Sequence, residues 1–180
     1  MTLLIRPQTV DEDAVVRVVV AAAFSHQEGV DDLVDALRQS WAWVEDLSLV
    51  ADEDGEVVGH VLLTKALLDA PERLVEVVVL SPLSVRPDMQ RGGIGKALVR
   101  AAAAAAEAHG APLLFLEGDP AYYAPRGFQP GGQIGFRRPS TRIPEPAFQV
   151  MPLATYEKWM TGTLVYCDVF WRLDCVGLRA

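Results

Sequence analysis

The sequence predicts a single domain of the α/β (α+β) class. Three observations carry this: a capping-box helix directly after a short N-terminal strand, an Asp-Gly hairpin, and a glycine-rich loop between a valine-rich strand and a long helix. At 180 residues the chain is long enough to bury roughly two-thirds of the surface its unfolded form exposes, in one compact core.

Leu3–Pro7 reads as the first strand. Thr9, with Glu12 three residues on, makes a capping box that opens a helix running to about Phe24. Val30, Leu33, Val34 and Leu37 recur at i, i+3, i+4 and i+7, which marks a second, short amphipathic helix ending before Trp41; residues 25–29 are the loop between the two. Residues 47–51 and 56–68 form a hairpin, since Asp54-Gly55 supplies the positive φ angles of its turn. The strand Leu74–Val85 is interrupted by Pro82, which implies an edge, a bulge or a departure from its neighbour. A helix from about Ile94 continues through the alanines of 101–106 and stops at Gly110, and residues 112–117 make a further strand. The terminal 40 residues read as two strands around a short amphipathic helix that carries Tyr156 and Trp159 toward the core. Tyr166, Phe170 and Trp171 suit either packing or a homodimer interface.

Composition narrows the function. A net charge of −8 is the wrong sign for binding nucleic-acid phosphates; cationic partners suit it better, although a negative surface also simply aids solubility. No apolar run approaches the ~18 residues that cross a bilayer, and the N-terminus lacks the pattern of a secretory signal, so a soluble cytoplasmic protein without membrane contact is expected. Cys167 and Cys175 have no histidine at zinc spacing and read as reduced thiols, with no metal site.

The stretch QRGGIGKAL, residues 90–98, places glycines between a strand end and a helix start. Unpaired N–H groups and a partial positive charge at such a start suit an anionic oxygen, and glycine lets it approach; phosphate is the natural occupant, the alternative being a tight turn only. A Walker loop fails because Lys96 is followed by Ala97. A dinucleotide fingerprint fails on spacing and on its mid-chain position.

Gln90-x-x-Gly93-x-Gly95 resembles the acyl-CoA-binding signature Q/R-x-x-G-x-G/A of the GNAT superfamily of N-acetyltransferases. LSVRPDMQRGGIGKALV, residues 83–99, is similar to the family's fourth strand, loop and third helix in register. Tyr123-Ala-Pro-Arg-Gly127-Phe128 resembles its Y-x-x-x-G-F element, and the string GDPAYYAPRGF looks like one subgroup of bacterial acetyltransferases. The resemblance covers residues 3–129. It implies one acyl-CoA N-acyltransferase domain over residues 1–180, with 1–129 as the family core and 130–180 as C-terminal strands that complete the sheet on the acceptor side. It further implies a mixed, mostly antiparallel sheet of six to seven strands, splayed between the fourth and fifth, with about four helices.

The same resemblance implies acetyl-CoA as cosubstrate, without a metal, and transfer of its acetyl group to an amine by direct attack in a ternary complex. Backbone amides of Leu83, Ser84 and Val85 would pair with the pantetheine arm as an added strand does and polarise the thioester carbonyl. The pyrophosphate would lie over Gln90, Arg91, Gly92, Gly93, Ile94, Gly95 and Lys96, with Arg91 or Lys96 adding charge. Tyr123 takes the place of the general acid that protonates the leaving thiolate, the alternative being a packed aromatic; Tyr122 is a weaker candidate.

The general base departs from the family pattern, because Val79 stands where many members carry a glutamate. Glu117 is chosen over Glu76, Asp119, His60 and a water-mediated base; each of the four side chains also has a structural reading, strand-end solvation for Glu76 and Glu117, a helix N-cap for Asp119 and a satisfied histidine for His60. The acceptor, a small-molecule or peptide amine, is set in this family by the loop between the first two helices and by the C-terminal strands; Asp31 and Asp32 there would draw a cation or simply start a helix. A catalytically silent acyl-CoA-binding sensor is the alternative to an enzyme, and an unrelated nucleotide-phosphate binder the third reading.

Overall fold

A computed structural model describes residues 2–178. The chain forms two compact units, Met1–Thr64 with Leu80–Ala105, and Lys65–Val79 with Ala106–Ala180.

In the first unit β1 (Leu3–Pro7) runs antiparallel to β2 (Ser48–Glu53), which runs antiparallel to β3 (Glu56–Asp69), with Ile5 opposite Ala51 and Val50 opposite His60. The hairpin turn is the expected one: Asp54 and Gly55 both have positive φ, 53° and 91°. The first helix begins as a single tight turn, Val10–Glu12, and becomes α1 at Asp13–Ala23; Glu12 accepts the Thr9 amide at 2.9 Å, as the capping box requires. Arg6 binds both Glu12 and Asp52, at 2.6 and 2.9 Å, so the helix start is tied to the β1–β2 pair, and that guanidinium pulls the Glu12 carboxyl down to about 2. α2 (Val30–Arg38) buries Val30, Leu33, Val34 and Leu37, the four positions picked out by periodicity.

Beneath these helices His60 is wholly buried on β3. Ser48 Oγ donates to Gln8 Oε1 at 2.7 Å, so it accepts from His60 Nε2 at 2.9 Å. The imidazole is therefore the Nε2–H tautomer, and its Nδ1 is buried without a partner. Burial, aided by the charge of Arg38, lowers its pKa to about 3. Its value in the unfolded chain is about 6.5, so the unfolded state binds a proton first as pH falls. The stability that neutral His60 contributes is complete above pH 6.5 and is lost toward pH 3, at about 1.4 kcal/mol per pH unit. Urea titrations between pH 7 and pH 4 are expected to show this slope in the wild type and a shallower one in His60→Gln; equal slopes would refute it.

β4 (Leu74–Val85) belongs to both units, as does β3. In the second unit β4 pairs in parallel with β5 (Leu113–Glu117), but only at Val78 with Leu114 and Val79 with Phe115; Leu80–Val85 continue without a partner in β5. The pairing stops three residues before Pro82. The two strands are splayed, in the position expected. The far side of β5 pairs antiparallel with β8 (Phe148–Pro152), and β8 with β6 (Gln129–Pro130). β9 (Gly162–Val165) pairs antiparallel with the end of β3 and parallel with β7 (Phe136–Arg137). Phe115 anchors this core, stacked on Phe148 at 5.7 Å and edge-on to Phe136 at 5.1 Å.

The sheet is mixed and mostly antiparallel, with nine strands among the described residues; the two-residue β6 and β7 are the excess over the six to seven expected. α3 (Ile94–Ala108) ends, as predicted, beside Gly110 at φ 85°.

The C-terminal reading needs correction. Residues 154–160 form no helix: two separate turns close them, Tyr156 N–H to Leu153 O and Met160 N–H to Glu157 O. Tyr156 and Trp159 are half-buried, and Trp159 carries the Arg73 guanidinium 4.5 Å above its ring. Part of the last expected strand is instead a helix, α5 (Asp168–Arg172), which turns Phe170 inward against Tyr166 at 5.1 Å and leaves Trp171 exposed. A further helix, α4 (Pro120–Tyr123), makes five. Among the described residues no helix is long and apolar enough to cross a membrane.

Candidate functional site

The glycine loop lies wholly in the first unit. Val85 ends β4, and the Arg86 amide donates to Val58 O at 2.9 Å, fixing the exit from the strand. Arg86 then grips Asp88 with two bonds of 2.8 Å and pairs with Glu56. Gln90 turns its side-chain amide back onto Val85 O at 3.1 Å, so the first residue of the motif closes the loop. Arg91 and Gly93 have φ of 67° and 92°, the left-handed region that glycine enters freely and arginine only under strain.

α3 follows at once, with Ile94 buried as its anchor. The first amide to find an intrahelical acceptor is Ala97, bonded to Gly93 O at 3.0 Å. The amides before it have no protein acceptor among the described residues, while Arg91, Gly92, Gly93 and Lys96 are exposed around them. These donors, the positive helix end and the basic side chains of Arg91 and Lys96, which have no ion-pair partner among the described residues, fit a phosphate or pyrophosphate. Of the residues preceding the loop, Ser84 is buried while Leu83 and Val85 are half-buried. A separate cavity of about 240 Å³, walled by Gln8, Asp13, Arg38 and Trp43, includes no loop residue.

Asp31 and Asp32, considered as cation attractors, both bind Arg17 Nη2 at 2.7 Å. They bridge α2 to α1. His60 is sealed within the core, as described above.

The second unit carries the acid–base candidates. Asp119 caps α4, accepting the Ala121 amide at 2.9 Å, which is the structural role foreseen for it. Tyr123 ends this short helix with its ring laid over Gly118. A methyl group on Gly118 would lie 2.3 Å from Tyr123 Cε2, so glycine is required there. Gly118 is itself held from both sides, its amide bonded to Ala147 O and its carbonyl to Gln149 Nε2, each at 3.0 Å. Tyr122 and Phe128 flank the Tyr123 ring edge-on, at 4.9 and 5.7 Å. The Tyr123 hydroxyl has no hydrogen-bond partner among the described residues. Burial raises its pKa, the neighbouring Tyr122 raises it further, and the Arg126 charge opposes both.

Glu117, at the end of β5, accepts the Tyr166 hydroxyl at 2.9 Å and the Gly177 amide at 3.1 Å. Burial raises its carboxyl above the usual range, against the pull of these two donors and of the Arg142 charge. A carboxylate shifted toward neutral pH suits proton uptake. Glu76 is exposed and paired with Lys65 at 3.2 Å. Nothing local in the sequence marks Tyr166 or Gly177 as partners of Glu117. They lie 49 and 60 residues away.

Comparison with known proteins gives one consistent answer. The model of the Acetyltransferase (GNAT) family matches residues 17–128. The chain is 33% identical over 157 residues to the uncharacterized N-acetyltransferase YjhQ of Escherichia coli (strain K12), spanning 85% of this chain and 86% of that one. A GNAT family acetyltransferase from Brucella melitensis, solved in complex with acetyl-CoA, superposes with a TM-score of 0.75 at 30% identity, covering 94% of this chain and 98% of the other. The N-acetyltransferase YhbS of Escherichia coli, solved with CoA, superposes with a TM-score of 0.82 at 26% identity, covering 94% and 92%.

Proposed function

The chain belongs to the GNAT family of acetyltransferases, and on that premise we propose that it moves the acetyl group of acetyl-CoA to an amine by direct attack in a ternary complex. The observation that carries this reading is the open row of amides over residues 91–96, because donors at a helix start suit the negative charge of a pyrophosphate.

In this reading residues 1–180 act as one acyl-CoA N-acyltransferase domain, with 1–129 as its core and 130–180 on the acceptor side. The pyrophosphate rests on Gln90, Arg91, Gly92, Gly93, Ile94, Gly95 and Lys96. The edge of β4 that β5 leaves free at Leu83, Ser84 and Val85, where Gln90 engages only the Val85 carbonyl, takes the pantetheine as an added strand, and its amides polarise the thioester carbonyl. The amine nitrogen attacks the carbonyl carbon, forming the C–N bond and an oxyanion. Collapse of this intermediate breaks the C–S bond, and sulfur leaves with the electron pair. Tyr123 gives its phenolic proton to that sulfur and regains one from solvent; Glu117 takes the surplus proton of the nitrogen. No metal enters any step. The acceptor is a small-molecule or peptide amine, and the protein works in the cytoplasm.

The test is calorimetric titration of acetyl-CoA into the purified protein, with free CoA and ATP in parallel, followed by an amine screen that detects released CoA. Micromolar binding of acetyl-CoA that ATP does not share, with turnover on at least one amine, is the expected result. Binding without turnover on any amine would make the chain a silent sensor. Absence of binding by either CoA form would leave the glycine loop as a turn and end the proposal.

A further inference from the structure

Arg126 is a half-buried cation with no ion-pair partner among the described residues. Its Nη1 donates to the carbonyl of Tyr122, its guanidinium carbon lies 3.7 Å from the centroid of the Tyr122 ring, and its Nε is buried with no acceptor. A lone half-buried charge is costly unless some anion meets it. Acidic residues outnumber basic ones in this chain, 24 to 16, yet none approaches Arg126 among the described residues. The anion is therefore sought in the reaction. Tyr122, which Arg126 clasps through both ring and carbonyl, is followed directly by Tyr123 and contacts its ring at 4.9 Å. Arg126 also lies close enough for its charge to draw the Tyr123 phenol toward ionisation, against the effect of burial.

We propose that Arg126 is a positioning residue for Tyr123: its clasp on Tyr122 fixes the turn that presents the phenol, and its charge favours the phenolate that remains once the proton has passed to sulfur. The inference rests on the reading of Tyr123 as the general acid. In the step concerned the Tyr123 O–H bond breaks and the S–H bond of CoA forms. The phenolate then holds the negative charge that the thiolate would otherwise carry, until solvent returns a proton. A cation held in place on the neighbouring Tyr122 stabilises the transient charge without reorganising, and its contribution belongs to turnover, not to ground-state binding.

The experiment is a double-mutant cycle in the full chain, with acetyl-CoA as donor and hydroxylamine as probe acceptor, since this small amine is neutral near pH 7 and needs little help from a base. Arg126→Gln, which keeps a donor for the Tyr122 carbonyl but loses the charge, is expected to lower kcat about tenfold with the KM for acetyl-CoA within twofold. Arg126→Lys restores the rate to within about threefold of wild type, and keeps the test available should the Gln variant fold poorly. In the Tyr123→Phe background Arg126→Gln should cost less than a further twofold, because the group it serves is gone. A full tenfold loss in that background, or an effect confined to KM, would overturn the proposal while leaving Tyr123 as the acid. A wild-type kcat for Tyr123→Phe alone would overturn both.

Discussion

Tyr123→Phe is expected to lower kcat at least tenfold while leaving the affinity for acetyl-CoA nearly unchanged. The substitution removes one oxygen from a ring whose packing against Gly118, Tyr122 and Phe128 is otherwise preserved, so the fold is not at issue. General acid catalysis by a positioned side chain is worth about 10²- to 10⁴-fold, and water replaces part of it. Steady-state kinetics paired with calorimetry separate the two quantities; a kcat within twofold of wild type would remove Tyr123 from the mechanism. Gly118→Ala should give the same pattern by another route. Its methyl group would enter the space of the Tyr123 ring, forcing the phenol from its seat without touching the glycine loop. The variant then binds acetyl-CoA and turns it over slowly.

The largest effect on stability is expected at Gly162. Its φ is 137°, and a Cβ there would lie 2.0 Å from the carbonyl oxygen of Asp69 and 2.9 Å from its carbonyl carbon. Both obstacles are backbone and cannot swing aside. Gly162→Ala must push β9 away from β3, where Asp69 opposes Thr163 and Leu68 opposes Leu164. Overpacking and backbone strain each cost about 1–3 kcal/mol, so a loss near 4 kcal/mol is expected, or roughly 10 °C in Tm for a domain of this size. Thermal melts decide it: a Tm within 2 °C of wild type would show that β9 moves freely, contrary to the pairing described.

The regions that the sequence made readable are those in which structure is local. The capping box at Thr9, the apolar stripe of α2, the Asp54-Gly55 turn and the glycine loop each place their signal within a few residues of the element they shape. The C-terminal third was harder, because aromatic spacing at Tyr156 and Trp159 imitates a helix that turns closed on Leu153 O and Glu157 O replace. Hydrogen bonds that join distant segments leave no pattern at all. Those of Ser48 with His60 and Gln8, and of Glu117 with Tyr166 and Gly177, satisfy buried polar groups whose partners only the tertiary fold supplies.

The bond from Gly177 to Glu117 also has a meaning in time. Translation proceeds from the N-terminus at about 5–20 residues per second, so the 60 residues that separate donor from carboxylate take on the order of 3–12 s to make. During that interval a nascent chain can complete β5 and yet leave Glu117 without the Tyr166 hydroxyl and the Gly177 amide that later bind it. A ribosome stalled within this stretch would hold a polypeptide whose Glu117 carboxylate is still open to water, without the burial that raises its pKa in the folded protein.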